Sequence, residues 1–390
     1  MPKYDIHVCL VSGQAAPNLL PVLDTEFKPQ EIVLIISNKM KDKANYLSEI
    51  FKKNNIKITH KMLSDEFNFS TMEQEIYTVA EEYINTNVAL NVTGGTKLIA
   101  IAAQNAFRDA DKPIFYVDTD ENRIIFISKD NQGNWIEDKT LHTKVNLSDY
   151  FGSYGFQTIV HSQSKIKDGW LEIPKSFIQY YDRYANIIPL LNQYASLAEK
   201  RGLQIEIDKE HQKNNMLDEI LTELDDKYGL IEYRNNHIKF HNQDIRFFLN
   251  GGWLEDYTFN VLQNIKQIDD IGCNIEVANL YYSQGKNDFS TNNKGNKNEF
   301  DIVFMAKNKL HIIECKTQKM DKSGGIKAED MLYKLETLKD YGGSFTKKCL
   351  ISYCPVPDSI LNRAKSLNIK IIQGKDLLRL KSIIQDWIAR

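Results

Sequence analysis

The stretch NEFDIVFMAKNKLHIIECKT, residues 298–317, decides how the C-terminal part of this chain folds. It contains two strand-like runs, 299–305 and 310–317, which are separated by a short polar turn. If the turn centres on Lys307 and Asn308, Asp301 lies directly opposite Glu314 on the neighbouring strand. The stretch therefore predicts a β-hairpin in which two acidic side chains face each other.

Asp301, Glu314 and Lys316 are predicted to share one face of this hairpin, because side chains two residues apart on a strand point the same way. Opposed carboxylates on adjacent strands stand about 5 Å apart and repel each other unless a cation lies between them. A divalent ion on these acids would polarise a phosphate and generate hydroxide, and the lysine ammonium would orient the water. The trio indicates metal-dependent hydrolysis of a phosphodiester.

A solvated surface ion pair is the alternative interpretation of the same three residues, since such pairs are common on exposed hairpins. The run HIIECK (311–316) is mostly apolar, however, so Glu314 and Lys316 emerge from a strand that is predicted to be buried. Because charged groups are costly to desolvate, they are tolerated there mainly at functional sites. The sequence favours the catalytic interpretation.

The spacing resembles that of the PD-(D/E)xK nucleases: Asp301, a spacer of 12 residues, then Glu314-Cys315-Lys316, with Phe300 where the motif name has proline. The segment 251–255 (GGWLE) is similar to the helix that precedes this motif in one branch. The resemblance implies a restriction-endonuclease-like α/β domain over 245–390, with Mn²⁺ or Mg²⁺ as cofactor and Lys334 as a further phosphate contact. It implies catalytic roles for Asp301, Glu314, Lys316 and Glu255, of which Asp301, Glu314 and Glu255 bind the metal.

The first 150 residues alternate between strand-like and helix-like patterns. Strand-like runs rich in Val and Ile, such as 31–37 and 88–93, alternate with helix-like runs such as 41–53 and 98–107. The alternation predicts a mainly parallel, doubly wound α/β sheet, with 122–128 as an antiparallel partner. Open sheets of this kind bind ligands at the carboxyl ends of their strands.

Two predicted loops at those strand ends contain candidate ligand residues. VSGQAAPNLLP (11–21) follows the first strand, and NVTGGTK (91–97) joins a buried strand to an apolar helix. Gly94 and Gly95 let a ligand approach the backbone, and Thr96 and Lys97 add a hydroxyl and a charge at a helix N-terminus, which suits an anion. The alternative is a glycine turn that only packs the helix on the strand, because TGGTK matches neither phosphate-binding loop spacing.

Together these segments resemble the CRISPR-associated Rossmann-fold (CARF) family, which implies a Rossmann-like sensing domain over 1–150. CARF domains pair about a two-fold axis and bind cyclic oligoadenylate across the dimer. The resemblance therefore implies a homodimer with cyclic tetra-adenylate as allosteric activator, and a symmetric ligand suits such a dimer. The predicted ligand residues are Ser12, Gly13, Gln14, Asn18, Ser37, Thr93, Gly94, Gly95, Thr96 and Lys97.

The middle of the chain is predicted to form a connector with one or two helices over 151–195 and a compact unit over 196–244. In the compact unit, a helix-like run at 216–230 precedes two short strands that turn at Asn235 and Asn236, an order that looks like a winged helix. Such a unit can read a DNA groove or act as a strut between subunits, and we favour the strut.

The composition excludes several classes of protein. A net charge of −3 argues against capture of nucleic acid by the field of the whole protein, so contact with a polynucleotide must be local. The five cysteines include no CxxC pair, which argues against a structural zinc site or disulfides. The sequence has neither a signal peptide nor a run of about 18 apolar residues, so we expect a cytoplasmic protein with no membrane contact.

Three functions compete on this evidence. The first is a ligand-activated, metal-dependent endonuclease in type III CRISPR antiviral defence, which cleaves DNA and/or RNA, as single strands or by nicking plasmid DNA. The second is a cyclic-oligoadenylate-responsive winged-helix DNA-binding regulator with a silent nuclease domain. The third is a ring-opening enzyme in the sensor pocket, where the sequence offers no clear general base. The intact trio Asp301, Glu314 and Lys316 favours the first function.

Overall fold

The computed structural model describes residues 3–130, 132–162, 169–281, 298–320 and 328–389. These residues form a seven-stranded sheet in the N-terminal part, a three-stranded sheet in the middle and a six-stranded sheet towards the C-terminus. Within these ranges, no helix has the length and apolar character needed to cross a bilayer.

The N-terminal domain is the predicted doubly wound sheet. Its elements are β1 (Ile6–Leu10), α1 (Ala16–Leu23), β2 (Glu31–Ile36), α2 (Lys41–Lys53), β3 (Lys57–Met62), α3 (Phe69–Glu82), β4 (Val88–Asn91), α4 (Lys97–Asp109), β5 (Ile114–Asp118), β6 (Arg123–Phe126) and β7 (Lys139–Thr140). The strand order is β3-β2-β1-β4-β5-β6-β7, in which β1 to β5 are parallel and β6 is the expected antiparallel partner of β5. Helices cover both faces, because strands this rich in Val and Ile are buried on both sides.

The segment after β1 differs from its prediction. The sequence predicts a loop over 11–21, but the loop ends at Ala15 and α1 begins at Ala16. Pro17 fits there because the first turn of a helix has no use for its missing N–H. Leu19, Leu20 and Val22 are completely buried, and this burial outweighs the second proline inside the helix. The loop prediction is therefore wrong beyond Ala15.

The middle of the chain contains more regular structure than the predicted connector. Its elements are α5 (Leu147–Tyr154), β8 (Phe156–Ser162), α6 (Glu172–Gln179), α7 (Tyr181–Tyr184), α8 (Ile187–Ala198), β9 (Gln204–Glu206), α9 (Asn215–Asp226), β10 (Ile231–Arg234), β11 (His237–Phe240) and α10 (Gln243–Phe247). The strand β8 pairs with a strand of the C-terminal sheet, so part of 151–195 belongs to that sheet and is more than a connector.

The compact unit contains the predicted hairpin. Asn235 and Asn236 both have positive φ (51° and 61°), which the tight turn between β10 and β11 requires. The strand β9 adds to β11 as a third strand. The helix α9 contains five acidic residues and no lysine or arginine, and so it is poorly suited to a phosphate backbone. The winged-helix assignment stays a prediction, and this charge favours the strut.

The C-terminal domain consists of α11 (Trp253–Leu262), β12 (Asp270–Asn279), β13 (Asn298–Ala306), β14 (Lys309–Lys316), α12 (Ala328–Thr337), β15 (Lys347–Ser352), α13 (Asp358–Ser366), β16 (Ile369–Gln373) and α14 (Leu380–Ala389). The sheet order is β16-β15-β14-β13-β12-β8. One hydrophobic core joins a face of this sheet to the middle helices, and another joins the opposite face to the N-terminal domain. The sequence also suggests that Lys286, Lys294 and Lys297, on the polar run 285–298, either contact the substrate backbone or belong to a solvated surface loop. These three lysines lie outside the described residues.

The two large domains contact each other directly. The Phe151 ring of α5 stacks on Phe300 of β13 at a centroid distance of 5.7 Å. At the tip of the β13–β14 hairpin, the Asn308 amide donates to the carbonyl of Thr143 and accepts from the N–H of Val145, each at 3.0 Å. These bonds fix the hairpin of the predicted metal site to the end of the sensing domain.

Candidate functional site

The β13–β14 hairpin has the register that the sequence predicts. Lys307 and Asn308 form its turn with φ values of 50° and 56°. Ile302 pairs with Ile313, so the next position on each strand places Asp301 opposite Glu314. The Asp301 carboxylate also accepts a hydrogen bond from the Cys315 N–H at 2.7 Å, which fixes its position between the strands.

Lys316 lies between the two acids. Its Nζ is 2.8 Å from Glu314 Oε1 and 3.4 Å from Asp301 Oδ2, and the Glu314 side chain is only 3% exposed. Burial raises the pKa of Asp301 to about 6, and the Glu314 charge adds to this rise while Lys316 opposes it. Burial alone would lower the pKa of Lys316, but the two carboxylates outweigh it and the pKa is raised.

Glu255 joins the same electrostatic cluster from the first turn of α11. Burial raises the pKa of Glu255 well above its usual range, and the neighbouring Asp301 charge raises it further. Three acids in one poorly solvated cluster are a donor set of hard oxygens, which fits Mg²⁺ or Mn²⁺ better than a soft metal. The predicted residues therefore fit a divalent ion.

The described residues contain one tighter trio of acidic and histidine ligand atoms. Atoms of Asp208, Glu210 and His211 lie within 4.8 Å of one another, but the two acids are exposed. The acids of the hairpin cluster are not drawn together as closely, and Lys316 lies between two of them. The hairpin cluster is the better candidate site because Glu314 is buried, Asp301 and Glu255 are only partly exposed, and the Lys316 ammonium lies between two of these acids.

A glycine allows α11 to begin beside the end of β14. Gly251 has a φ of 114° in the wide turn Phe248–Gly252, and a Cβ there would overlap the Thr317 hydroxyl. Thr317 Oγ1 is in turn 2.8 Å from the side-chain amide of the buried Asn192 on α8. The sequence did not indicate Thr317 or Asn192 as part of the site, and its only signal was the glycine pair at 251–252.

Lys334 approaches the cluster from α12. Its Nζ lies 2.9 and 3.1 Å from the two oxygens of Glu314, whereas the sequence suggested a phosphate contact. Glu314 is thus contacted by two ammonium groups, one from its own strand and one from a helix. The Lys334 side chain is 41% exposed, so it is the more easily displaced of the two.

The sensing domain has a cavity of about 510 Å³ at the carboxyl ends of its strands. Lys97 and Thr96 reach it from the start of α4, where the Thr96 hydroxyl accepts from the Ile99 N–H at 3.3 Å and caps the helix. Gly95 has a φ of 72°, which makes the close turn before the helix possible. The predicted ligand residues that line this cavity are Ser12, Gly13, Ser37, Gly95, Thr96 and Lys97.

The other predicted ligand residues are engaged elsewhere in this structure. The buried Asn18 amide donates to the Leu10 carbonyl at 2.9 Å, and Thr93 Oγ1 accepts from the Val117 N–H at 2.7 Å. Gly94 packs so closely on the Leu10 carbonyl that a Cβ would overlap it. The side-chain amide of Gln14 forms hydrogen bonds with Ser344 of the C-terminal domain. Contact of these four residues with the ligand stays a prediction.

Two family models match the chain. The model of the Card1 CARF domain matches residues 6–150, and the model of the Card1-like endonuclease domain matches residues 242–390. No curated protein sequence matches the chain at a significant level.

Solved structures match the chain over nearly its whole length. Protein VC1899 from Vibrio cholerae superposes with a TM-score of 0.81 at 25% identity, covering 98% of each chain. Can2 from Sulfobacillus thermosulfidooxidans, in complex with cyclic tetra-adenylate, has a TM-score of 0.78 at 26% identity and covers 99% of this chain and 98% of its own. A type III CRISPR defence DNA nuclease activated by cyclic oligoadenylate shares the fold, with a TM-score of 0.52 at 14% identity over 91% of this chain and 47% of its own.

Proposed function

Since the chain joins a CARF domain to a Card1-like endonuclease domain, we propose that it is a metal-dependent endonuclease activated by cyclic tetra-adenylate in type III CRISPR antiviral defence. The observation that carries the proposal is the largely buried cluster of Asp301, Glu314 and Lys316 on paired strands. The full-length likeness to Can2 bound to cyclic tetra-adenylate supports the choice of activator.

Asp301, Glu314 and Glu255 would hold Mn²⁺ or Mg²⁺. When bound, the ion would polarise the scissile phosphate and lower the pKa of a water molecule, which would supply the nucleophile. The Cys315 N–H keeps the Asp301 carboxylate in place. The neighbouring acids raise the pKa of Lys316 and favour its charged form, which does not suit the role of general base. It instead orients the attacking water and stabilises the charge that grows on the phosphate oxygens.

The substrate is DNA, RNA or both. Hydrolysis of this kind acts on the phosphate, and recognition of the sugar or the base requires contacts outside the cluster. The net charge of −3 restricts the attraction of a polynucleotide to a local surface.

A homodimer would complete the sensor cavity. Phe67 and Leu98 line the cavity and are exposed, Phe67 to 72%, and Ile101 follows one turn later on α4 with 48% exposure. Exposed apolar residues beside a ligand site favour burial by a second protein surface. A second copy of this chain is the expected partner, because a ring of four equal nucleotides presents the same half to each protomer.

The dimer is tested by placing a charge on that surface. Ile101→Arg should convert the protein to a monomer in sedimentation equilibrium and weaken cyclic tetra-adenylate binding. Ile127→Arg is the matched control, since Ile127 is also exposed but follows β6 at the other side of the sheet. Dimers of unchanged stability in the Ile101 variant would refute this surface.

The function itself is tested by cleavage of labelled single-stranded RNA, single-stranded DNA and supercoiled plasmid with Mn²⁺ or Mg²⁺. Cleavage of at least one substrate should require both metal and cyclic tetra-adenylate. Glu314→Ala should abolish it, while Glu232→Gln, a change at an exposed acid of β10, should not. Cleavage that ignores the activator would remove the sensing role, and cleavage by the Glu314 variant would remove the site.

A further inference from the structure

Gln14 directly connects the sensor loop to the endonuclease domain. It follows Ser12 and Gly13, which line the cavity, but its own side chain turns away from them. Its Nε2 donates to Ser344 Oγ at 3.1 Å, and its Oε1 accepts from the Ser344 N–H at 3.2 Å. Both the donor and the acceptor of the Gln14 amide are therefore hydrogen-bonded to Ser344 of the endonuclease domain.

The turn that contains Ser344 is held at further points by α5, the helix that follows the sheet of the sensing domain. The Tyr150 hydroxyl of α5 donates to the Gly342 carbonyl at 2.8 Å. The Tyr154 hydroxyl accepts from the Ala15 N–H at 3.4 Å and packs against Gly343, whose φ is 74°. A change in the loop beside the cavity therefore reaches the turn both through Gln14 and through Tyr154.

The same turn follows the helix that carries Lys334. The residues of α12 run directly into a 3-10 turn, Leu338–Tyr341, which ends three residues before Ser344. Helical segments move as units, since their backbone hydrogen bonds are internal. A displacement of the Ser344 turn should therefore shift the Lys334 ammonium, whose partner is Glu314.

We propose that the Gln14–Ser344 contact holds the endonuclease in an inhibited state in which the Lys334 ammonium occupies Glu314 in place of the metal. Activator in the cavity moves the loop of Ser12 and Gly13, Gln14 releases Ser344, and α12 withdraws Lys334. The carboxylate of Glu314, which is almost completely buried between Lys316 and Lys334, then becomes available to the ion. This inference rests on the proposed function and names the regulation of its site.

The proposal makes a prediction that does not involve cleavage. A ligand shifts a conformational equilibrium only by binding one state better than the other. If activator and metal favour the same released state, each raises the affinity for the other by the same factor. Cyclic tetra-adenylate should therefore tighten Mn²⁺ binding in the absence of any substrate.

The test measures Mn²⁺ binding to the full-length protein by electron paramagnetic resonance of the free ion, with and without cyclic tetra-adenylate. In the wild type the activator should raise Mn²⁺ affinity about tenfold. Lys334→Met should raise the affinity of the activator-free protein by a similar factor and remove most of the activator effect. Lys339→Met is the matched control, because Lys339 pairs with Glu336 and does not contact Glu314.

Gln14→Leu tests the other end of the connection without altering the metal cluster. It should raise both Mn²⁺ affinity and cleavage in the absence of activator, with a melting temperature close to that of the wild type. Wild-type Mn²⁺ affinity in both the Lys334 and the Gln14 variants, with the full activator effect retained, would overturn the proposal.

The failure of the proposed function is distinguishable from the failure of this inference. A wild type whose Mn²⁺ affinity responds to the activator but which cuts no nucleic acid would refute the function and support the inhibitory contact. A wild type that cuts only with activator, but whose Mn²⁺ affinity ignores it, would support the function and refute the inhibitory contact.

Discussion

The hairpin cluster and the sensor cavity are built in opposite ways. Asp301, Glu314 and Lys316 lie on paired strands, and backbone hydrogen bonds fix their positions within one chain. Ser12, Gly13 and Lys97 lie on loops or at a helix start, beside exposed apolar side chains. From this difference we expect the hairpin cluster to be self-contained in one protomer and the cavity to be shaped by what binds to it.

The largest expected effect separates the two sites. Lys316→Ala should reduce cleavage by about 100- to 1000-fold, because it would remove the charge that is proposed to stabilise the reacting phosphate. Cyclic tetra-adenylate affinity, measured by calorimetry without metal, should stay at the wild-type value. A Lys316 variant that also loses activator affinity would break the distinction between a self-contained site and a ligand-shaped one.

The sequence predicted the relative positions of the residues in the hairpin cluster better than those of the residues at the sensor cavity. A side-chain period of two and one turn at Lys307-Asn308 determine which residues oppose each other, so the register of Asp301 and Glu314 follows from local information. Gln14 bonds to a residue 330 positions away in the chain, and no local pattern indicates such a contact. Asn18 has the chemistry of a ligand residue, but in this structure its side-chain amide donates to the carbonyl of Leu10 at the end of β1.

The strand β8 shows that local sequence patterns also fail to predict long-range strand pairing. Its run FQTIVHS is short and follows an aromatic segment, and it becomes a strand because β12 offers an open edge in the C-terminal sheet. The sequence-based separation of a connector from the endonuclease domain missed this pairing, which joins segments that are more than 100 residues apart in the chain.

A substitution of Gly251 tests whether this glycine is needed to position Glu255 in the proposed metal site. Gly251→Ala should displace the start of α11 from Thr317, and with it Glu255. We expect Mn²⁺ affinity to fall by about 10- to 100-fold, as for other changes that misplace a metal ligand, with activator affinity unchanged. Isothermal titration with Mn²⁺ measures the effect, and an unchanged affinity would mean that Glu255 is not a ligand.

Acid should lower the free energy of unfolding of both large domains, because each contains a buried histidine. Burial lowers the pKa of His7 in the sensing domain and of His311 in the endonuclease domain from 6.5 to about 3 each. The unfolded chain therefore binds more protons between these values, and stability is lost as the pH falls below 6.5. At pH 5 each histidine should cost about 2 kcal/mol relative to neutral pH.

A substitution of His7 measures the share of this loss that arises in the N-terminal domain. The His7 ring has no hydrogen-bond partner and packs between Phe27 and Phe115, so His7→Phe should remove its share of the pH dependence. Denaturant unfolding at pH 7 and pH 5 measures the difference. An unchanged pH dependence in the variant would show that His7 remains neutral in the unfolded chain or is protonated in the folded one.

The smallest expected effect is at the sensor cavity. Lys97→Ala should weaken cyclic tetra-adenylate binding by about tenfold, and the loss should shrink at high salt, because an exposed charge on a phosphate is screened. Lys53→Ala, at the far end of α2, is the matched control. Equal affinities of the two variants would exclude Lys97 from the ligand contacts.

The central claim is that the endonuclease cluster responds to occupancy of the sensor cavity. The most direct measurement titrates cyclic tetra-adenylate and follows, in the same samples, the bound fraction of activator and the initial rate of cleavage at saturating Mn²⁺. The account predicts that the rate rises with the bound fraction and reaches its plateau when the cavity is full. A rate that stays constant while the cavity fills would contradict it.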